Sequence, residues 1–450
     1  MPVRIAASSL TGLALAALAT SAAAQSPPAY VVLGGQGALA RAIVPAGTTG
    51  VAPQCPTIVV DGAAQAMRVR AQPDRDFPIL VCEYALPAAA ASAAIGGQAL
   101  PLPKTADSIA VFGDTGCRLK AAKPPAGKPA TVSHDADDED DDSGKFQDCN
   151  DPSSWPFASI SAMIAKAKPD LVIHVGDYLY RESPCPTGDK GCQGSPYGDN
   201  WVTWAADFFA PAAPLLQAAP WIVTRGNHEI CKRAGPGYAR LLDPTPATGQ
   251  GPPACVDLID PYTVTVGNRA FIMLDSSDAA DECPQSGCDS AAYAAQFAAM
   301  KPAAGTWLVT HRPIWGFTNS KDKSGKRKLG IRNMTLQAAL AQWNGKAPDG
   351  IDLVLSGHIH LWEALSFADA RSPQFVLGSG STQLAHQITE QLVGQKVGGT
   401  KVASATTDQR FGYTMFAPSK GGGHWDATFY DTNGKAKIAC KVEAGKATCK

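Results

Sequence analysis

The stretch LVIHVGDYLY, residues 171–180, runs from an apolar segment into a Gly-Asp pair and then a tyrosine. Short apolar runs that end at a glycine are typical of buried strands, and the turn that follows presents its polar residue at the edge of a sheet. Tyr180 lies three positions after Asp177, where it is either a packing residue or a second polar group of the same site. The stretch therefore predicts a buried strand that ends at a functional carboxylate.

Four further apolar runs end in residues of the kinds that bind metals. They are IAVFGDTG with Asp114, WIVTRGNHE with Asn227 and His228, TWLVTHRP with His311, and DLVLSGHIH with His358 and His360. Because the carboxyl ends of strands in an α/β sheet face one crevice, we expect these side chains to lie together. Carboxylate, imidazole and amide donors suit divalent or trivalent metals of intermediate hardness. One such strand end alone would more often be a turn former, but five in this order predict a metal site.

The order of the elements predicts the fold class. From residue 108 onward, apolar strands alternate with helix-like stretches such as residues 154–169 and 201–217. Strands that are apolar on both faces belong inside a layered fold, so we expect an α/β sandwich of mixed sheets flanked by helices over residues 108–450. Residues 28–105 contain short strand-like runs between Gly, Pro and Asp turns. They predict a small all-β domain of immunoglobulin or fibronectin type ahead of the α/β domain.

Residues 1–24 are predicted to be a signal peptide. MPVR supplies a basic start, an alanine- and leucine-rich run follows, and SAAAQ offers small residues for cleavage after Ala24. No later run approaches the roughly 18 apolar residues that a membrane-spanning helix needs. We therefore expect an exported protein, periplasmic or secreted, without stable membrane insertion. The net charge of −1 gives no indication of a nucleic-acid partner.

Twelve cysteines, an even number, agree with export to an oxidising compartment. Several lie close together and others are compatible with longer loops, although sequence alone leaves the connectivity open. The candidate pairs are Cys185/Cys192, Cys283/Cys288, Cys440/Cys449, Cys55/Cys82, Cys117/Cys149 and Cys231/Cys255. A thiolate zinc site is the less favoured alternative, because the sequence contains no pair of C-x-x-C motifs.

The ordered motifs resemble those of the calcineurin-like metallophosphoesterases over residues 108 to about 366. The motifs are GDTG (113–116), GDYLY (176–180), GNHE (226–229), LVTH (308–311) and GHIH (357–360). They are most similar to the purple acid phosphatases, whose pattern is GDxG, GDxxY, GNH[D/E], VxxH and GHxH. Most of the wider superfamily has a histidine ligand where this chain has Gly116, and the purple enzymes use a tyrosine that matches Tyr180. The two departures compensate each other, which favours Tyr180 as a ligand.

The resemblance implies two metal ions and seven ligands. The first metal, Fe(III), would be bound by Asp114, Tyr180 and His360. The second metal, Fe(II), Zn(II) or Mn(II), would be bound by Asn227, His311 and His358. Asp177 would bridge the two metals and hold them roughly 3.5–4 Å apart. His228 neighbours a ligand and is expected to contact the phosphate or to protonate the leaving group. Arg312 and the basic segment KDKSGKRK, residues 321–328, are further candidates for contact with substrate.

The function implied is that of an exported, acid-phosphatase-like phosphomonoesterase that acts on a small phosphorylated substrate through a metal-bound hydroxide. A phosphodiesterase or nucleotide hydrolase on the same scaffold is the alternative, since the ligands do not set the size of the second ester group. Nucleic acid would enter only as a substrate. A non-catalytic binding module is the third possibility, which the retention of all seven ligand positions disfavours. The acidic run DADDEDDD, residues 135–142, is expected to be a solvated loop.

Overall fold

The computed structural model describes residues 28–47, 52–122, 144–249, 251, 254–283, 287–321 and 326–450, except for the side chains of residues 320 and 321. The predicted signal peptide and the acidic run 135–142 lie outside the described residues, as do residues 322–325 of the basic segment. The export signal and the character of the acidic run therefore stay predictions.

Eleven strands, numbered along the chain, form the first of two large sheets. They are β1 (Ala29–Gly34), β2 (Gly37–Pro45), β5 (Arg68–Ala71), β6 (Ile79–Ala85), β9 (Ile109–Phe112), β12 (Leu171–His174), β13 (Trp221–Val223), β24 (Gly412–Pro418), β25 (Trp425–Asp431), β26 (Ala436–Glu443) and β27 (Lys446–Cys449). Their order is β27-β26-β25-β24-β9-β12-β13-β1-β2-β6-β5. At the centre β9, β12, β13 and β1 run parallel, so their carboxyl ends meet at one edge.

Eight strands form the second large sheet. They are β14 (Tyr262–Val266), β15 (Arg269–Leu274), β16 (Thr306–Thr310), β19 (Ile351–Ser356), β20 (Trp362–Phe367), β21 (Gln374–Leu377), β22 (Lys396–Val397) and β23 (Thr400–Asp408). Their order is β14-β15-β16-β19-β21-β20-β23-β22. Here β15, β16, β19 and β21 run parallel, so this sheet also gathers several carboxyl ends at one edge.

Three smaller sheets complete the strands of the described chain. They pair β3 (Thr57–Val60), β4 (Ala63–Ala66), β7 (Ala93–Ile95) and β8 (Gln98–Ala99) in one sheet, β10 (Leu119–Lys120) with β11 (Lys145–Phe146) in another, and β17 (Gly316–Lys321) with β18 (Arg327–Arg332) in the third. The last of these is a hairpin that follows the LVTH motif directly.

The two large sheets pack face to face. Along β9, Ile109 and Val111 point into the core between the sheets, and the alternate residues point to the outer face. On the facing sheet, the ring of Trp307 lies 5.2 Å from that of Phe416 and 4.7 Å from that of Trp425 of the first sheet. Aromatic contacts of this kind bury large apolar areas, so the shared core holds the sheets together.

Helices cover the outer faces of both sheets. On the first sheet lie α1 (Phe157–Ala167), α2 (Trp201–Trp204), α3 (Ala210–Ala218) and α4 (Gly235–Leu241), and on the second lie α5 (Ala291–Ala299) and α6 (Met334–Ala339). In α1 the buried Phe157, Ile160 and Ile164 recur at helical spacing and form the apolar stripe that packs on the sheet. The arrangement confirms the predicted α/β sandwich of mixed sheets flanked by helices.

Residues 28–105 contain only strands within their described part, as the sequence predicts for a β region. β1 pairs parallel with β13, with Val32 opposite Trp221, so that β1, β2, β6 and β5 continue the first large sheet. Only β3, β4, β7 and β8 form a sheet of their own. Backbone hydrogen bonds thus join this region edge to edge with the strands of the site. The division into domains of residues 28–105 and 108–450 stays a prediction.

All six candidate cysteine pairs form disulfides. The bonds are Cys55–Cys82, Cys117–Cys149, Cys185–Cys192, Cys231–Cys255, Cys283–Cys288 and Cys440–Cys449. A chain with this many disulfides is consistent with an oxidising compartment. Among the helices of the described residues, none has both the length and the apolar character needed to span a bilayer.

Candidate metal centre

The loops after five strands bring the predicted ligands together. Asp114 follows β9, Asp177 and Tyr180 follow β12, Asn227 follows β13, His311 follows β16, and His358 and His360 follow β19. Donor atoms of Asp114, Asp177 and His360 all lie within 4.8 Å of one another, and so do those of Asp177, His311 and His358. Asp177 belongs to both groups, which is the geometry that a bridging ligand requires.

Tyr180 points into the first group. Its Oη lies 2.6 Å from Oδ2 of Asp177, 2.9 Å from Nε2 of His360 and 3.2 Å from Oδ1 of Asp114. Because Nδ1 of His360 lies 2.9 Å from the carbonyl oxygen of Gln383, this nitrogen carries the ring proton and Nε2 is an acceptor. One phenolic O–H therefore faces three acceptor atoms but can donate to only one of them. A cation bound at this point would interact favourably with the other two.

Asn227 lies at the middle of the second group. Its Oδ1 is 2.9 Å from Nε2 of His311 and 2.9 Å from Nδ1 of His358. Nε2 of His311 also lies 3.3 Å from Oδ2 of Asp177. Nδ1 of His311 donates to the carbonyl oxygen of Val175 at 2.8 Å, so Nε2 directs a lone pair at the two side-chain oxygens. Lone pairs that face one another favour a cation between them, so this donor set fits a second metal.

The backbone at three ligands adopts a conformation that side chains rarely allow. Asp114, Asp177 and His358 have φ of 59°, 61° and 72°, in the left-handed region. Such residues cluster at functional sites. A Cβ added at Gly116 would lie 2.7 Å from the backbone nitrogen of Tyr180, so a histidine does not fit at this position of the first motif. The missing histidine and the nearby tyrosine thus belong to one local arrangement.

Burial controls the charges of the centre. Asp114 and Asp177 are 0% and 1% exposed. Burial and then the charge of Asp177 raise the pKa of Asp114 well above its ordinary value. Burial also opposes ionisation of Asp177, but His311 and His228 hold its pKa well below the usual range. Burial lowers the pKa of both His311 and His360, which favours the neutral form of these rings that can bind a metal. The centre is therefore electrostatically suited to cations.

Glu229, the last residue of the GNHE motif, holds two of the ligand loops together. Its carboxylate accepts hydrogen bonds from the backbone nitrogens of Asp177 at 3.1 Å, Tyr178 at 2.9 Å, Leu179 at 3.1 Å and Gly226 at 3.1 Å. Four backbone donors on one buried carboxylate fix the chain at Asp177 and the two residues after it, and tie this turn to Gly226 of the loop after β13. Sequence reasoning gave this residue no role, although its place beside two predicted site residues was a signal.

Asp207 supports Tyr180 from behind. It lies in a π-helical turn, Ala205–Phe209, and is fully buried. Its carboxylate accepts from the backbone nitrogens of Cys117 and Tyr180, both at 2.9 Å, and from Nε of Arg181 at 2.6 Å. Single π-helical turns often occur at functional sites. Asp207 thus links the loops of the first two motifs, and no sequence signal identified it.

His228 lies beside the first group without joining it. Its ring centroid is 3.7 Å from that of Tyr180, and its Nε2 is 4.0 Å from Oδ2 of Asp177. Its Nδ1 lies 3.0 Å from Oε1 of Glu182 and 2.6 Å from Nη2 of Arg233. Burial and then the charge of Arg233 lower the pKa of His228, while the two carboxylates oppose that effect. The ring is close enough to the centre to act on a bound substrate.

Arg312 borders the second group and is 4% exposed. Its Nη1 lies 2.6 Å from Oδ2 of Asp281 and 3.0 Å from Nε2 of His358. Its predicted contact with substrate stays a prediction. The basic segment 321–328 joins β17 to β18, and its side chains are described only from Lys326 onward.

Asp281 is a further site residue that the sequence reasoning missed.

The chain is similar to known proteins in its sequence pattern and in its fold. The sequence model of the calcineurin-like phosphoesterase family matches residues 108–361. The solved structure of PhoD superposes with a TM-score of 0.52 at 12% identity, covering 95% of this chain and 92% of that one. GAP50, the anchor in the inner membrane complex of Plasmodium, gives a TM-score of 0.37 at 14% identity and covers 75% of this chain and 89% of that one. No curated protein sequence gives a significant match.

The match to the phosphoesterase family model and the buried Asp–His cluster together define the class, a metal-dependent phosphoester hydrolase. The family match spans more than half of the chain. The protein belongs to the calcineurin-like phosphoesterase family.

Proposed function

We propose that the protein is an exported phosphomonoesterase of the purple acid phosphatase type. The observation that carries this proposal is the position of Tyr180, whose Oη lies within 3.2 Å of Asp114, Asp177 and His360 donor atoms. A packing tyrosine would direct its ring, not its oxygen, at the polar groups. The neighbouring atoms leave no room for a side chain at Gly116. Together with this close packing, the position of the Tyr180 oxygen supports Tyr180 as the ligand that replaces the usual histidine.

The donor sets support two different metals. Asp114, Tyr180 and His360 would hold Fe(III), and Asn227, His311 and His358 would hold Fe(II), Zn(II) or Mn(II), with Asp177 as the bridge. Burial, followed by the charges of Asp177 and Asp114, raises the pKa of Tyr180 well above its ordinary value. Loss of its proton therefore requires a strongly acidic cation, and Fe(III) meets this need better than a divalent ion. When bound, the metals would offset phosphoryl charge and acidify a water.

Side chains around the first subsite suit an anionic substrate and a proton transfer. The guanidinium carbon of Arg118 lies 5.5 Å from the ring centroid of Tyr180, and Arg233 contacts His228. Two cations beside the subsite would offset charge on a phosphoryl group. Glu182 lies against Nδ1 of His228 and orients the ring, so the doubly protonated form of the ring would offer its second proton, at Nε2, to the leaving oxygen. Arg312 would offer a further cation on the side of the second subsite.

A panel of substrates tests the proposal. Purified protein would be assayed on paired monoesters and diesters with the same leaving group, and its bound metals counted by mass spectrometry. We expect about two metals per chain and a higher kcat/KM for monoesters. Faster hydrolysis of the diesters would contradict the phosphomonoesterase proposal and favour the diesterase alternative, and a chain that binds no metal would contradict both.

Export has a test of its own. N-terminal sequencing of protein recovered from the periplasm or culture medium should find Gln25 as the first residue, since cleavage after Ala24 is proposed. Retention of the full chain inside the cell would contradict it.

A further inference from the structure

Asp281 is a buried carboxylate that faces a proposed metal ligand. It lies in the loop after β15 and is 0% exposed. Its Oδ2 is 2.6 Å from Nε2 of His358, and the opposite nitrogen of that ring, Nδ1, is the one that faces Asn227. The ring therefore lies between the carboxylate and the donor atoms of the second group.

The carboxylate of Asp281 is itself held firmly. Its Oδ1 accepts from Nδ2 of Asn333 at 2.8 Å, and its Oδ2 accepts from Nη1 of Arg312 at 2.6 Å. The same amide of Asn333 donates to the carbonyl oxygen of Ala279 at 2.7 Å, and its Oδ1 caps α6 by accepting from the nitrogen of Leu336. A helix cap is a rigid support. Asp281 is thus fixed in orientation before any contact with His358 is considered.

His358 differs in this respect from the other two imidazoles of the centre. The outer nitrogens of His311 and His360 face backbone carbonyls, of Val175 and Gln383. The outer nitrogen of His358 faces the carboxylate of Asp281 at 2.6 Å, and Nη1 of Arg312, which donates to that carboxylate, lies 3.0 Å from the same nitrogen. A carboxylate on the far nitrogen fixes the tautomer and the ring angle and makes the near nitrogen a stronger donor to a metal.

We propose that Asp281 is a positioning residue for the second metal subsite. It acts through His358, keeping the proton on Nε2 and the lone pair of Nδ1 directed at the metal, and Arg312 holds the carboxylate of Asp281 in place through an ion pair of 2.6 Å. This inference rests on the proposed dinuclear site. It assigns Asp281 and Arg312 to metal retention at one of the two subsites.

Zinc titration of metal-stripped protein tests the proposal. The probe is Zn²⁺ alone, followed by calorimetry, with bound zinc counted after gel filtration. Wild-type protein should bind two ions. Asp281→Asn should weaken one site by about 10–100-fold and leave the other unchanged, since this is the usual cost of removing such a carboxylate.

A matched control is available on the same loop. Asp275 also follows β15, is 8% exposed and pairs with Arg225 at 2.5 Å, and no described contact joins it to an imidazole. Asp275→Asn should therefore lower the melting temperature and leave both zinc affinities unchanged. Equal loss of zinc affinity in the two variants, or unchanged affinity in Asp281→Asn, would overturn the proposal.

Charge repulsion is separated from positioning by a double variant. Asp281→Asn removes the carboxylate that pairs with the guanidinium of Arg312 near the subsite, and Asp281→Asn with Arg312→Met removes that guanidinium as well. Recovery of wild-type zinc affinity in the double variant would show that charge alone was responsible and would overturn the positioning role. Continued weak binding at one site supports it.

A measurement on the wild-type protein covers the case in which the variants do not fold. Long-range proton–nitrogen NMR of the imidazoles in zinc-loaded protein should show a protonated Nε2 on His358, and a bare Nε2 would overturn the proposal. If wild-type protein binds two zinc ions but hydrolyses no phosphoester when it is loaded with iron, the proposed function fails while the comparison of variants still decides the role of Asp281.

Discussion

The phenolic oxygen of Tyr180 lies 2.6 Å from Oδ2 of Asp177, which is only three positions earlier in the chain. The left-handed backbone at Asp177 turns the loop so that both side chains face the same side. Asp207 accepts a hydrogen bond from the backbone nitrogen of Tyr180, and Glu229 accepts one from the backbone nitrogen of Asp177. These bonds fix the backbone at both residues and so keep the two side-chain oxygens close together. This short loop therefore places the carboxylate of Asp177, the predicted bridging ligand, and the phenol of Tyr180 next to each other in the site.

Tyr180→Phe should abolish the colour of iron-loaded protein. A phenolate bound to Fe(III) absorbs visible light in the purple enzymes that this chain resembles, so wild-type protein loaded with iron should be pink to purple. The variant keeps six proposed ligands and should retain some metal, and its hydrolysis should fall less than that of Asp177→Asn. The measurement is a visible spectrum with metal counting. Active, two-metal wild-type protein without colour would make Tyr180 a packing residue and leave the broader family assignment standing.

Asp177→Asn should be the most damaging change at a ligand. Asp177 faces both donor groups, so loss of its carboxylate weakens the binding of both metals at once. We expect fewer than one metal per chain and almost no phosphoester hydrolysis. Mass spectrometric metal counting and a monoester assay check this, with circular dichroism to confirm the fold. Near-normal metal occupancy would contradict the bridging role.

His228→Ala should separate proton transfer from metal binding. The ring stands beside the centre, with its Nε2 4.0 Å from Asp177, and is not one of the donors of either group. We expect both metals to remain and kcat to fall by about 10²–10⁴-fold, the usual contribution of a general acid. The loss should be smaller for esters whose leaving groups need no proton. A variant that loses metal would instead identify His228 as a ligand.

Glu363→Gln should change the pH dependence of stability. Glu363 is 0% exposed in β20, its Oε1 accepts from the nitrogen of Phe317 at 3.3 Å, and its Oε2 has no hydrogen-bond partner among the residues that the structure describes. Burial raises its pKa from 4.5 to about 8. The folded protein therefore keeps a proton that the unfolded chain releases. This contribution to stability is complete below about pH 4.5 and is lost as the pH rises through about 8.

Urea unfolding at pH 5, 7 and 9 checks this prediction. In that window the wild type should lose up to about 1.4 kcal/mol for each pH unit relative to Glu363→Gln. Glu443→Gln, at an exposed position at the end of β26, is the control for loss of one glutamate. A difference between wild type and Glu363→Gln that stays constant with pH would contradict the prediction.

The Cys117–Cys149 disulfide should stabilise the part of the chain next to the centre. It joins the residue after Gly116 to a loop 32 positions further on, and both cysteines are buried. Replacing both by alanine should lower the free energy of unfolding by about 2–4 kcal/mol. The measurement is urea unfolding of the exported protein. Free-thiol counting on denatured, unreduced wild-type protein should find none, and several reactive thiols would contradict the disulfide assignment.

The clustering of the candidate ligands could be predicted because each lies in a short motif directly after an apolar strand. The period and length of the apolar runs identify the strands, and the parallel arrangement brings their carboxyl ends together. The supporting carboxylates could not be found in this way. Asp281 lies 77 positions from His358, and Asp207 lies 90 positions from Cys117. The hydrogen bonds through which these carboxylates support the site therefore join distant parts of the chain. The strand-end rule applied to β15 points to Asp275, which instead pairs with Arg225.

By itself, the sequence determined the fold class, the strands whose ends meet at the centre, the candidate donors that follow them and the candidate cysteine pairs, because all of these depend on residue type and local spacing. The tertiary structure decided that β1, β2, β6 and β5 extend the first large sheet through β13, that Tyr180 directs its oxygen into the centre, and that Asp281, Asp207 and Glu229 stand behind the ligands. Strand partners and buried ion pairs are chosen by packing between segments far apart in the chain, and no local pattern encodes that choice.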